Sequence, residues 1–451
     1  MIRFVNRDYE MSLLNDEWKK NQAQFIVIYG RRRIGKTALI TEFTKNKDGI
    51  FYIAEDINKK VQIDDFKEKL ASFFDDDLLR TLEISEWKDL FSYLEKIIPK
   101  DKKIYITIDE FSYFIKNDPA LASALQKFWD QFLRKTNIFL LVSGSIFGLM
   151  SKKILSASSP LYGRRTRDIL LREIRFQHAC EFLEMPFEDK LQIYMTVGGV
   201  PEYLLKARSY SDFISFFDKE FATQDGYFYR EPYFFLSQEF KEIRTYFSIL
   251  NAISYGNTKP SNIANFAGIK TREIYPYLEN LMRLNIVKKL TPITKNKKSG
   301  IYLINDVFFD CWFNFIHKNR EHIEQDRFSL SKQELNTYFG KRFEVCVREE
   351  FIPKLVGTST IGKWWHKNED IDIVALDKKK KQAMFFECKY KNLGYNQSLK
   401  ILKELEGKAG FVQWFNDDRN EKYGIIGRSI EDKERLRENG FLVYDLDDWK
   451  R

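Results

Sequence analysis

The stretch Gly30-Arg31-Arg32-Arg33-Ile34-Gly35-Lys36-Thr37 constrains this chain more than any other. It satisfies every fixed position of the pattern G-x-x-x-x-G-K-[ST], a loop whose backbone N–H groups curl around phosphate oxygens. Its flanks agree with that reading. Phe25-Ile26-Val27-Ile28-Tyr29 is an apolar run of buried-strand type, and Ala38-Leu39-Ile40-Thr41-Glu42-Phe43 reads as the helix that follows. Glycine permits the unusual backbone such a loop needs, and the helix N-terminus adds partial positive charge. In this pattern Lys36 reaches the outer phosphates and the Thr37 hydroxyl ligates Mg²⁺. Gly30, Arg31, Arg32, Arg33, Ile34, Gly35, Lys36, Thr37 and Ala38 are therefore the expected phosphate contacts.

A second motif tests the first. Lys103-Ile104-Tyr105-Ile106-Thr107-Ile108 runs into Asp109-Glu110, roughly 70 residues beyond the loop. An acidic pair at a strand end in that position suits a Walker B element. Asp109 would hold Mg²⁺, and Glu110 would polarise the attacking water. A third strand, Ile138-Phe139-Leu140-Leu141-Val142, ends in Ser143-Gly144-Ser145. Either serine can face the γ-phosphate or its water, or be an ordinary polar strand end. Arg164 and Arg165 are candidate arginines for transition-state charge, in cis or from a neighbouring copy. Strands alternating with helices give an α/β fold with a parallel sheet and ligands at the strand C-terminal ends.

At 451 residues the chain is too long for one core. No run of about 18 apolar residues marks a membrane span, and the N-terminus lacks the apolar run of a signal peptide. Cys180, Cys311, Cys346 and Cys388 are scattered without a C-x-x-C pair, which points to a reducing cytoplasm and no structural zinc. The net charge of +9 suits either a polyanion partner or a lysine-rich solvated surface.

Four elements together resemble the archaeal ATPase family, close to the signal-transducing (STAND) NTPases of the AAA+-like class. They are Phe4-Val5-Asn6-Arg7-Asp8-Tyr9-Glu10, the two Walker elements, and Gly199-Val200-Pro201. The first resembles a box with consensus h-h-G-R-x-x-E, with Asn6 in place of glycine. The resemblance implies ATP with Mg²⁺, an adenine near Arg7, a helical lid over about 170–235, and Pro201 packed on the nucleotide. Read without it, Gly-Gly-Val-Pro is a turn between helices. The implied ATPase domain spans 1–235, and sites of this class often need a neighbour's arginine, which is compatible with a homo-oligomer while leaving the oligomeric state open.

Residues 236–305 change rhythm. Helical spacing over 243–253, a short helix over 260–268 closed by Gly268, and a third helix over 272–284 precede two strand-like runs, 286–290 and 300–303. Three helices and a hairpin suit a winged helix. Its third helix would be the reading helix, with Lys295-Asn296-Lys297-Lys298 as the wing tip. DNA contact and a protein–protein spacer both fit.

Residues 306–451 carry a second acidic constellation. Asp372 on one strand, a Lys378-Lys379-Lys380-Lys381 turn, then Glu387 and Lys389 on the next strand follow the hairpin of the PD-(D/E)xK nuclease superfamily. Asp372 and Glu387, with Glu344 from an upstream helix, would hold Mg²⁺ or Mn²⁺ beside a phosphodiester. Strand alternation places Lys389 on the face of Glu387, where it assists the nucleophile or the leaving charge. Glu110, Lys36, Glu387 and Lys389 are thus the expected catalytic residues. A nuclease-like fold that only binds DNA, and a hairpin with a cross-strand salt bridge, are the alternatives. The expected architecture is a P-loop AAA+-like parallel sheet with helical lid, a winged helix and an α/β restriction-endonuclease-like domain. The expected function couples ATP to DNA binding and cutting; the rival is an NTP switch acting through a protein partner.

Overall fold

A computed structural model describes residues 4–294, 300–357 and 359–450. The expected wing tip, 295–298, lies outside the described residues. The chain divides into two compact units. One comprises 1–174 with 200–203 and 235–241; the other comprises 175–199, 204–234 and 242–451.

The first unit is built on five parallel strands: β1 (Gln24–Tyr29), β2 (Gly49–Ile53), β3 (Tyr105–Asp109), β4 (Phe139–Gly144) and β5 (Arg167–Leu170). Their order is β2-β3-β4-β1-β5. β4 thus lies between the strand that feeds the glycine loop and the strand that ends in Asp109, parallel to both. Strand alternation explains the two cores. Phe25 and Val27 face a layer containing Phe66, Trp87, Phe114 and Trp129. Ile26 and Ile28 face the opposite layer, with Leu39, Phe43, Phe139 and Leu141. A strand buried on both faces has to be apolar throughout, and β1 is buried along almost its whole length. β2 and β5 carry no comparable sequence signal, because both are short edge strands with half-exposed residues.

The second unit begins with short helices, including Phe187–Val197 and Phe213–Glu220. Phe216, Phe221, Phe228 and Phe308 interlock there, with Phe221 stacked on Phe228 at 4.5 Å. Three helices follow, Arg244–Ser254, Pro260–Ala267 and Ile274–Arg283, then an antiparallel ribbon of β6 (Val287–Leu290) and β7 (Ile301–Ile304). A C-terminal mixed sheet contains β8 (Thr360–His366), β9 (Glu369–Asp377), β10 (Gln382–Leu393), β11 (Asn420–Ile430) and β12 (Leu442–Tyr444), ordered β12-β11-β10-β9-β8. β8, β9 and β10 are antiparallel, whereas β10, β11 and β12 are parallel. The helix Tyr395–Ala409 supplies the crossover between β10 and β11 and buries Leu405 and Ala409 against Phe385 and Val374. Among the described residues no helix is long and apolar enough to cross a membrane.

Phe385 is fully buried and stacks on Tyr423. Phe385→Ala is expected to destabilise the protein by about 3–5 kcal/mol. An unchanged midpoint in denaturant unfolding monitored on the second unit would contradict this packing.

Candidate functional site

The loop after β1 folds as its glycines require. Gly30, Arg33 and Gly35 have φ of 155°, 68° and 90°. A Cβ at Gly30 would lie 2.5 Å from the backbone oxygen of Leu171, so only glycine allows β5's exit to pass so close. The helix Lys36–Thr44 starts directly after Gly35.

Lys36 is 5% exposed, and its ammonium donates to the backbone oxygens of Gly30 and Arg31 at 3.2 and 3.1 Å. Burial pushes its pKa down, and the charges of Glu110, Asp109 and Glu239 oppose that shift. A buried cation held mainly by loop carbonyls suits a polyanion better than water. The Thr37 hydroxyl donates to one oxygen of Asp109 at 2.5 Å, and the Ser143 hydroxyl donates to the other. Beside it, Glu110 accepts from the backbone N–H and the hydroxyl of Ser145, at 3.1 and 2.6 Å. Glu110 itself has φ 53°. Both serines at the end of β4 therefore bind the acidic pair directly. A threonine hydroxyl and a carboxylate are the hard oxygen donors that Mg²⁺ takes.

Arg7, 6% exposed, reaches back to the loop and donates to the backbone oxygen of Ile34 at 3.0 Å. Its own backbone is left-handed, with φ 90°. The ring of Pro201 is the nearest group to a Cβ built on Gly35, at 3.8 Å. Arg7 and Pro201 thus meet at one loop, although 194 positions separate them in sequence. Arg32 is exposed, whereas Arg31 and Arg33 are partly buried. Arg31 bonds Glu173 at 3.2 Å and sits over Tyr203 and Phe235; Arg33 lies 3.5 Å from Glu202. Glu239, on the same segment as Phe235, accepts from the N–H of Gly148 at 3.3 Å. Glu173, Glu202, Tyr203, Phe235 and Glu239 carry no motif that would reveal them in advance. The candidate arginine Arg164 pairs with Asp130 at 3.1 Å, and Arg165 with Asp168 at 3.2 Å.

The second constellation assembles in the other unit. β9 and β10 pair antiparallel with Ile373 opposite Phe386, which sets Asp372 beside Glu387. Asp372 accepts from the N–H of Cys388 at 2.9 Å and lies 3.4 Å from the Lys389 ammonium. Lys389 bonds Glu387 at 2.6 Å. Glu387 is also 3.2 Å from Lys408, on the last turn of helix Tyr395–Ala409. Lys363 of β8 lies 3.1 Å from Glu344, 3.0 Å from Asp370 and 3.6 Å from Asp372. Glu344 itself also pairs with Arg348 at 3.1 Å. The result is a chain of alternating acids and bases, with Asp372 9% and Glu387 6% exposed. Lys363 and Lys408 had no signal of their own, since isolated lysines are ordinary in a lysine-rich chain. Among the described residues no three His, Cys, Asp or Glu side chains are gathered so as to hold a metal ion.

Burial and the neighbouring Asp372 charge hold Glu387 and Glu344 above the usual carboxyl range. Asp372, buried but facing Lys389 and the Cys388 N–H, is held below it. A carboxyl whose folded pKa is raised favours the fold below its unfolded value of about 4.3 and loses that contribution as pH rises through the folded value. Glu387→Gln mimics the protonated form. It is expected to raise the melting temperature at pH 7 by about 2 °C, with the gain vanishing near pH 4. A lower melting temperature at pH 7 would mean that the Lys389 and Lys408 pairs outweigh the carboxylate repulsion.

Residues 4–207 match a family described as an ATPase domain predominantly from Archaea, and residues 312–401 match a family described as archaea bacterial proteins of unknown function. A Walker-type ATPase of Pyrococcus abyssi superposes with a TM-score of 0.52 at 20% identity, covering 69% of this chain and 96% of that one. At that identity the likeness concerns the fold: a parallel sheet of P-loop ATPase type. The uncharacterized ATP-binding protein MJ0423 of Methanocaldococcus jannaschii is 49% identical over 47 residues, 10% of this chain and 80% of that protein. The uncharacterized protein MJECL04 of the same organism is 36% identical over 461 aligned positions, covering 99% of this chain and all of the relative. The chain belongs to the same family as that protein, and its N-terminal part matches the ATPase-domain family.

Proposed function

We propose that this protein is a Mg²⁺-dependent ATP hydrolase whose nucleotide state controls engagement of DNA by its C-terminal part. The arrangement of Lys36, Thr37, Asp109 and Glu110 at one edge of a five-stranded parallel sheet carries the reading. Lys36 and the loop N–H groups bind the outer phosphates. Thr37 and Asp109 would hold Mg²⁺, which would supply charge neutralisation at the phosphates. Glu110, positioned by Ser145, orients water and accepts its proton. Arg7 stabilises the loop by bonding Ile34, and Pro201 packs beside Gly35, in the manner of a STAND-like site.

In the C-terminal half, the three helices with the β6–β7 ribbon are read as a winged helix. The β9–β10 hairpin bearing Asp372, Glu387 and Lys389 is read as nuclease-like, with Glu344 as its helical partner. The carboxylate oxygens are suitable donors for Mg²⁺ or Mn²⁺, and each acid also has a lysine or arginine partner. That ion pairing also favours a second reading. In it the C-terminal part is catalytically inert, and the ATPase gates binding of a partner.

Lys36→Ala is expected to lower ATP turnover at least about 100-fold, and Glu110→Gln to preserve ATP binding while abolishing turnover. Turnover retained by Lys36→Ala would overturn the ATPase reading. The two C-terminal readings separate in a nicking assay with Mg²⁺ or Mn²⁺ on plasmid and single-stranded DNA. Cutting by wild type and not by Glu387→Ala supports the nuclease; equal nicking by both, or none by either, removes it.

A further inference from the structure

A cleft of about 870 Å³ opens within the second unit. The β6–β7 ribbon forms one wall, through Leu290, Ile301 and Leu303. The helix Lys332–Cys346 forms another and contributes Lys341, Arg342 and Glu344. Lys318 closes one side; Lys363, Trp365 and Asp370 from β8 and β9 close the other.

Arg342 distinguishes this cleft from an ordinary crevice. It is only 8% exposed, its nearest carboxylate is Asp310 at 3.5 Å, and its Nε–H has no acceptor among the described residues. A buried guanidinium N–H without an acceptor is costly, and a phosphate or carboxylate oxygen is its natural complement. Lys341, next to it, is exposed, and Lys318 lies 4.8 Å over Tyr255; neither forms an ion pair among the described residues. Cationic side chains outnumber acids along the walls, while the ribbon residues and Trp365 add apolar surface. Anion-binding groups beside apolar and aromatic walls suit a phosphate that carries a base. The volume is that of a small-ligand pocket, roughly 300–1,000 Å³, which admits a nucleotide and excludes a duplex. Glu344, Lys363 and Asp370 belong both to the cleft and to the chain of ion pairs that runs through Asp372. The cleft therefore adjoins the acidic cluster through these side chains.

We infer that this cleft binds nucleotides of single-stranded DNA, with phosphate on the Arg342–Lys341 side and base against the ribbon and Trp365. The inference rests on the DNA reading above and names its substrate: an unpaired strand or end rather than a duplex.

The test is fluorescence anisotropy of the full chain in EDTA, which prevents metal-dependent cutting. The probes are a labelled oligothymidylate, the matching duplex, and free thymidine monophosphate as competitor. Because Arg342 is buried, the surface variant K318E/K341E carries the test, with an unchanged melting temperature as the folding control. The strand is expected to bind more tightly than the duplex, to resist the mononucleotide, and to lose about tenfold or more in affinity in the variant. Equal affinity of wild type and variant for the strand would overturn the inference. So would tighter duplex binding, or a mononucleotide that competes as well as the strand. Failure of the nuclease reading is separable: wild type that never nicks DNA, with strand binding lost in K318E/K341E, sinks cutting and leaves the cleft assignment standing. Cutting that persists with undiminished strand affinity in the variant does the reverse.

Discussion

The carboxylate of Asp109 is the point on which the nucleotide site of this protein depends. One oxygen receives the Thr37 hydroxyl and the other the Ser143 hydroxyl. Those groups come from the ends of β3 and β4 and from the start of the helix that follows β1, the third neighbouring strand, so a single side chain sets their relative position. Such an acceptor, 1% exposed, needs donors on both oxygens or a cation. The parallel sheet makes this feasible, because it delivers all three strand ends to one edge. Glu110 repeats the device with Ser145, so the strand between the two Walker strands helps to organise both acidic residues.

The C-terminal constellation is solved differently. Asp372, Glu387 and Glu344 are drawn from a hairpin and a helix, and lysines from three elements interleave with them. Lys389 shares the strand of Glu387, Lys363 comes from β8, and Lys408 from a helix end. Buried like charges are tolerated only with such partners. The raised carboxyls of Glu387 and Glu344 record burial first and repulsion by Asp372 second, which the lysines reduce without removing. A cluster of this kind is electrostatically loaded, and perturbed groups gathered in this way are common at functional sites.

Arg31 and Arg33 illustrate how a motif can be read correctly while its variable positions go elsewhere. The pattern leaves the residues between Gly30 and Gly35 free, and here their guanidinium groups face Glu173, Glu202 and the rings of Tyr203 and Phe235. The loop backbone remains available to phosphate, while these side chains tie the loop to segments far away in sequence.

Residues close in sequence were legible from the chain alone. The glycine loop, the Asp109-Glu110 strand end and the Asp372/Glu387/Lys389 hairpin each combine backbone geometry and chemistry within a short window, so pattern and periodicity reveal them. The edge strands β2 and β5 were not legible, since short half-exposed strands lack a strong apolar signature. Nor were Lys363, Lys408, Glu239 or the unsatisfied Nε–H of Arg342. Their significance comes from what surrounds them, and ordinary lysines, glutamates and arginines look alike until burial and distance set them apart. The sequence alone determined which groups could do chemistry; only the tertiary structure decided their partners, because the cost of burying a charge depends on neighbours that the linear order does not reveal.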